Sequence, residues 1–427
     1  MDEIISDYSL QNYLKKKLQE TKYCKAAKEL HSVLFCAVRL IRAPMHVPGV
    51  FVIANDVSAK IWGVQHCKSS WACPVCSAKR MSKEASRIAT AIDALNAQGK
   101  KAFMLTLAIP HVRKFSCEQA FEILQLSWKR FSHNAKSKTA TKFDVFAQFA
   151  NDVNCEHRIR VCEFTWGKNG WHPHYHCLFF VDSDKLQTVG KWQESLANEW
   201  LRIVKMMTAR VIKRDNLFTS PTEWLDKFYQ NITEKPIDAC YISRDDNGNV
   251  REAKSSQYIC GWGADKELTG NIRKLASHRG HFTPHQILEK AWKLDRQGKF
   301  DLADKWFSLY IDYALTTKGK YRVRFSLKLS KIINQWRQTE KYIEALKKKA
   351  IEEKTNTGVW RTVCWFNELQ WYKICLSSLL PEILARARLP NAFDKIADFL
   401  LEHQIDIRTN GYHPEQQFLE NRLFNAA

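Results

Sequence analysis

Several things are scarce in this 427-residue chain. No apolar run reaches the ~18 residues needed to cross a bilayer, so no membrane span and no membrane partner is expected. The opening residues, MDEIISDYSL, are acidic where an export signal would be basic, and no apolar stretch follows them. A cytoplasmic protein is the expectation. Acidic residues are few: 45 Asp and Glu face 66 Lys and Arg, a formal charge of +21. That balance excludes an acidic chain and points to a polyanionic partner, nucleic acid ahead of a membrane surface. Internal repeats and low-complexity tracts are absent. So are the P-loop, G-x-S-x-G and H-E-x-x-H patterns, which removes the chemistries those motifs carry.

What is present describes a folded protein. Hydrophobic residues make up 45% and aromatics 12%, enough for a core without disulfides, and the length suits two or three domains. Thirteen cysteines without an export signal read as thiols or metal ligands in a reducing compartment. Three regions are expected: a basic, zinc-binding N-terminal region over 1–98, a catalytic domain over 99–290 and a helical C-terminal region over 291–427. Within them, helical periodicity runs from Lys79 to about Asn96 and stops at Gly99, and strand patterns cover 50–54, 101–110, 158–166 and 171–181. Helices are expected over 118–135 and about 185–206. Residues 215–249 read as polar and mixed, and everything beyond Pro284 as almost wholly helical. The fold class is α+β, an antiparallel sheet carrying its ligands on one face with helices packed behind.

The stretch Trp171-His172-Pro173-His174-Tyr175-His176 is the most informative. Side chains alternate along a strand, so His172, His174 and His176 share a face. With 14 histidines in the chain, chance gives such an i, i+2, i+4 triplet in roughly one or two chains per hundred. The turn Gly167-Lys168-Asn169-Gly170 predicts a hairpin whose paired residues sum to 337, which sets Glu163 opposite His174 on the same face. Imidazoles beside a carboxylate make a mixed nitrogen–oxygen site with open positions, suited to Mg²⁺ or Mn²⁺ and a phosphate oxygen.

A second cluster is Cys67-Lys-Ser-Ser-Trp-Ala-Cys73-Pro-Val-Cys76. Its Cys-Pro-x-Cys knuckle is typical of structural Zn²⁺, and a closed tetrahedral site needs a fourth ligand, for which Cys36 is the choice and His66 the alternative. The other cysteines read as small buried hydrophobes.

Phosphodiester chemistry at a metal-held phosphate also needs a nucleophile. Thirteen tyrosines are available, and spacing alone does not choose among them. Tyr258, in Ser-Ser-Gln-Tyr-Ile-Cys-Gly-Trp-Gly, follows the sheet residues and a polar loop; a phenol suits a reversible covalent step.

The order of these motifs carries a resemblance. Cys-Pro-x-Cys, FMLTLAIPH at 103–111, RVCEFTWGKNGWHPHYHCLFF, QYICGWGADKELTG and YIDYALTTKGKYRVRFSLKL at 310–329 together resemble the plasmid rolling-circle replication initiators (Rep proteins) of the HUH endonuclease superfamily, over roughly residues 60–330. The resemblance implies that His174 and His176 are the HUH histidines, Glu163 their acidic neighbour, and Tyr258 the strand-nicking residue. His172 belongs to the Trp-His-Pro-His wording as a group behind the ligands. The family usually has Tyr-x-x-Lys, whereas Gly261 stands here. Some members carry Glu four before the tyrosine, whereas Lys254 stands here. On a helix through this segment Lys254 shares Tyr258's face and can replace the missing lysine, while Glu252 lies about 120° away. Tyr241, with Arg244 at +3, is the second choice of nucleophile.

The function implied is site-specific, metal-dependent nicking and strand transfer through a 5′-phosphotyrosine, leaving a 3′-OH primer. The partners implied are plasmid or phage replication-origin DNA, single-stranded or as a hairpin, with a host helicase and DNA polymerase. Competing expectations are an HUH transposase, a catalytically inactive origin-binding repressor, and, more distantly, an RNA-binding zinc protein.

Overall fold

The computed structural model describes residues 7–41, 49–132, 144–218, 221–233, 239–253, 280–357 and 359–408. Its strands are β1 (Val50–Ala54), β2 (Ala59–Trp62), β3 (Lys100–Ala108), β4 (His157–Gly167), β5 (Gly170–Asp182), β6 (Cys240–Ile242), β7 (Val323–Phe325) and β8 (Arg361–Phe366). The protein is α+β with antiparallel sheets. By contacts it forms two units: the described residues up to 80 with those from 340 onward, and 81–253 with 280–339. This division cuts across the three regions read from the sequence. Residues 284–339 pack with the larger sheet, and 340–408 with the cysteine segment. Among the described residues no helix is long and apolar enough to cross a membrane.

The first unit holds a three-stranded sheet of order β2-β1-β8. Its β8 corrects the all-helical expectation for the C-terminal part. The run Arg361-Thr-Val-Cys-Trp-Phe366 is β-branched and aromatic, and pairs antiparallel with β1 more than 300 residues earlier. The helix read from Lys79 begins at Pro74 instead, inside the cysteine knuckle, and runs to Asn96. Pro is suited to a first helical turn, where no N–H is needed.

The second unit is built on a five-stranded sheet of order β6-β3-β5-β4-β7. β6 lies in the stretch read as polar and mixed, and β7 beyond Pro284; both are three-residue edge strands, too short to leave a periodic signal. β5 is central, and its Cys177–Val181 stretch is buried on both faces. On one face Ala102, Met104, Ile159, Val161, Leu178 and Phe180 pack against Met81, Ile88, Ile92 and Leu95 of the long helix. On the other, Phe103 and Phe179 meet Phe146 and Phe149, and Trp200 meets Phe131. Removing one such buried aromatic would cost about 3–5 kcal/mol.

Two devices hold the end of the sheet that matters for function. The helix Gln193–Asp215 pins β3, because the Trp200 indole donates to the Ala108 carbonyl at 2.7 Å. The same helix closes the open edge of β6: the buried Gln193 amide donates to the Cys240 carbonyl at 2.7 Å and accepts from the Ile242 N–H at 2.6 Å. Gln193 thus supplies the hydrogen bonds that a further strand would.

Candidate active site

The β4–β5 hairpin sets the geometry. Its turn residues are Lys168 and Asn169, Gly167 pairs with Gly170, Trp166 with Trp171 and Glu163 with His174, the register expected from the sequence. Gly170 has φ of +90°, and a Cβ there would lie 2.9 Å from the Arg113 Cα, so both the turn and the neighbouring loop require glycine. One slipped residue would send Glu163 to the opposite face.

In this register the three side chains converge. His174 Nε2 lies 3.6 Å and His176 Nε2 3.4 Å from the same Glu163 oxygen. One ligand atom from each residue falls within 4.8 Å of the others. Glu163 is buried, and both imidazoles retain 12% side-chain exposure, so the cluster is reachable from one side. Behind the rings, His176 Nδ1 meets the Thr106 hydroxyl at 3.0 Å, and His174 Nδ1 faces the His172 carbonyl at 3.3 Å. A carbonyl only accepts, so His174 Nδ1 carries a proton and its Nε2 is the nitrogen turned toward Glu163. Hydrogen bonds of this kind orient imidazoles for a metal. Two nitrogens and a carboxylate oxygen suit a borderline or hard divalent ion with open positions.

His172 shares the face, as its strand position requires, but stands outside the cluster. Its ring stacks on His174 at 5.1 Å between centroids and on His111 at 4.5 Å. Burial, then the neighbouring imidazoles, pushes His172 down to about 2. Burial likewise pushes His111 down to about 4. Both stay neutral near pH 7 and add uncharged, stacked rings beside the cluster. Sequence reasoning passed over Thr106 and His111. They lie in the FMLTLAIPH stretch that carried the resemblance, but the β3–β5 register that sets Thr106 opposite His176 is a tertiary fact.

Lys254 and Tyr258 lie outside the described residues. Glu252 and Ala253 are described, and they are not helical. Glu252 bridges Phe103 in the sheet and pairs with Lys101 at 2.9 Å, while the Ala253 N–H donates to the Ala102 carbonyl at 2.7 Å. The helical reading of Glu252 is therefore corrected: pairing along the β3 edge sets its direction. Tyr241 sits on β6 directly opposite Thr106, hence on the same face as the cluster, and is exposed.

The cysteine cluster is separate in construction. The sulfurs of Cys36, Cys67, Cys73 and Cys76 all fall within 4.8 Å of one another. Cys36 Sγ lies 3.4 Å from Cys76 Sγ and 3.8 Å from Cys73 Sγ. Of the two candidates for the fourth position, Cys36 is the one gathered with the other sulfurs. His66 Nδ1 stands 3.9 Å from Cys36 Sγ, and its other nitrogen meets Lys79 Nζ at 3.3 Å. Gln11 Nε2 donates to Cys73 Sγ at 3.0 Å and the Cys67 N–H to Cys36 Sγ at 3.4 Å, as donors around thiolates should. Hydrogen bonds from the other thiols hold Cys36 far below the ordinary thiol range, whereas burial pushes Cys73 well above it. Hydrogen bonds to the Cys36 and Cys76 sulfurs raise His66 to about 9. Four crowded sulfurs fit a soft tetrahedral divalent ion, which takes all four as thiolates. Among the remaining described cysteines, Cys117, Cys162, Cys177, Cys240 and Cys364 are buried thiols in the packing.

Residues 58–213 match a family model described as Replication protein. The match supports a plasmid replication initiator. It takes in three of the four cluster cysteines, β3 and the whole β4–β5 hairpin, and leaves out Cys36 and Tyr258. Neither the curated proteins nor the solved structures contain a match to this chain.

Proposed function

We propose that the protein initiates rolling-circle replication by nicking one strand of origin DNA in the manner of the HUH endonucleases. The observation that carries this reading is the convergence of Glu163, His174 and His176 at one reachable spot within the stretch that matches replication proteins. These three residues would hold a divalent ion, Mg²⁺ or Mn²⁺, which when bound polarises the scissile phosphate. Thr106 and the His172 carbonyl keep the two rings turned toward it.

The Tyr258 phenol supplies the nucleophile. Its oxygen bonds to phosphorus and displaces the 3′ oxygen, which leaves with a proton as a 3′-OH; the 5′ phosphate stays on the tyrosine, conserving the ester for strand transfer. Chain length permits this. Ala253 is tied to Ala102, four residues along β3 from Thr106, or about 13 Å, and the five residues from Ala253 to Tyr258 span up to about 17 Å. Lys254 neutralises phosphate charge or lowers the phenol's pKa. Cys36, Cys67, Cys73 and Cys76 would hold a structural Zn²⁺. Origin DNA is the substrate, and a host helicase and polymerase extend the 3′-OH.

The deciding experiment uses a labelled single-stranded origin oligonucleotide. The wild type should form a covalent adduct on a denaturing gel, Tyr258→Phe should form none while still binding DNA, and Tyr241→Phe should behave as wild type. An adduct with Tyr258→Phe but not with Tyr241→Phe transfers the role to Tyr241, which the fold sets on the same face. No adduct from any of the three makes the protein an origin-binding repressor rather than a nickase.

A further inference from the structure

The reverse of the larger sheet carries a different set of side chains. On the side opposite the histidines, Arg160 of β4 and Arg324 of β7 are directly paired in register, and Arg158 lies two residues along. Like charges directly opposite each other across strands repel. Among the described residues no carboxylate forms an ion pair with any of these three arginines. Two arginines on the helix Gln193–Asp215 are paired, Arg202 with Glu199 and Arg214 with Glu122.

Aromatic rings hold the guanidinium groups in place. Arg160 lies 4.7 Å from the Trp128 ring centre and 4.2 Å from that of Tyr175, Arg158 lies 5.6 Å from Trp128, and Arg324 lies 4.9 Å from the exposed Tyr321. Stacking fixes the charges without consuming their hydrogen-bond donors. A concentration of fixed, repelling cations at a sheet edge, without a carboxylate partner among the described residues, calls for a polyanion that offsets the repulsion.

We infer that Arg158, Arg160 and Arg324 form a sequence-independent docking surface for the phosphate backbone of duplex DNA, on the reverse of the sheet from the nicking site. Duplex is favoured over single-stranded nucleic acid because the ring faces of Trp128, Tyr175 and Tyr321 already carry guanidinium groups. They are thus occupied where unpaired bases would stack. What remains on offer is charge and N–H donors, which suit phosphates. The inference rests on the reading of the protein as a DNA nickase, and it locates where the duplex flanking the origin is held.

The test measures binding of a 20-base-pair duplex lacking origin sequence, by fluorescence anisotropy across a salt series. The variants are R160Q/R324Q and R324E, with R202Q/K205Q as the control. R160Q/R324Q should bind about tenfold more weakly at moderate salt, and its log–log salt slope should shrink by about two, since each phosphate contact contributes about 0.9. R324E should bind at least as weakly, yet melt no lower than wild type, because the introduced carboxylate would face Arg160 as an ion pair. The control should bind as wild type. Nicking of a short single-stranded oligonucleotide should stay within about twofold in all variants. Unchanged duplex affinity and slope in R160Q/R324Q overturn the inference, as does an equal loss in the control. If the wild type nicks nothing, the catalytic reading falls while the duplex comparison still decides this surface.

Discussion

The two ligand clusters are built on opposite plans. Four sulfurs gather around one point in the first, with Cys36, Cys73 and Cys76 buried and N–H donors pointing in from Gln11 and Cys67. A carboxylate and two imidazoles gather in the second, all three on adjacent strands, with one side reachable. A site that uses four protein ligands has no position left for substrate, and a site that uses three does. On the proposed function, the difference assigns stability to the cysteine cluster and chemistry to the histidine cluster.

The largest expected effect breaks the first site. Cys73→Ser should release the zinc and unfold the segment around it, since apparent zinc binding in small domains contributes about 10–16 kcal/mol to folding. Elemental analysis and a thermal melt read this together; full zinc content with an unchanged melt would reverse the assignment of roles. His66→Ala sharpens the same contrast: it should retain zinc, because His66 lies outside the sulfur quartet.

Breaking the second site should do the reverse. His174→Ala or His176→Ala should lower metal-dependent nicking by about a hundredfold or more, with the melting temperature little changed and DNA binding intact. Chelation should mimic both variants in the wild type, with Mn²⁺ or Mg²⁺ restoring activity. Wild-type nicking rates in both variants would remove the metal site.

A finer cut separates ligand from support. Thr106→Val removes the hydroxyl at His176 Nδ1 while keeping the shape. It should weaken the divalent ion's apparent affinity about 10- to 100-fold, seen as a higher metal concentration at half-maximal nicking with the rate at saturation largely recovered. No change in the metal titration would show that Thr106 only packs.

The smallest effect is a pH dependence beside the second site. His111 sits at about 4 in the folded protein and near 6.5 when unfolded. Between those values the unfolded chain binds more protons, so the stabilisation is full above pH 6.5 and drains away as pH falls through 4. His111→Phe should flatten this part of the stability curve by on the order of 1–2 kcal/mol relative to wild type, read from denaturant midpoints at pH 7, 5.5 and 4. Parallel curves for the two proteins would show that His111 titrates normally.

How much of this was legible beforehand depended on whether the signal was local. The Cys-Pro-x-Cys knuckle, the alternating histidines and the two-residue turn are short-range patterns, and the last of these set the Glu163–His174 register through strand periodicity alone. The nucleophile was another matter, since thirteen tyrosines differ only in their surroundings, and Tyr258 was picked out by resemblance. Glu252 was misread as helical because the polar run around it has no period of its own; its conformation comes from pairing with Phe103, about 150 residues away.

The sequence by itself determined the α+β class, the hairpin register, the candidate ligands on one strand face and the cationic balance of the chain. Each follows from side-chain alternation, turn chemistry or a simple count of charges. Only the tertiary structure decided that Cys36 rather than His66 completes the sulfur quartet, that Thr106 backs His176, that β8 joins β1, and that Arg160 meets Arg324 across the sheet. These are contacts between residues tens to hundreds of positions apart, and which of many compatible partners meet is settled by how helices and strands share one buried volume.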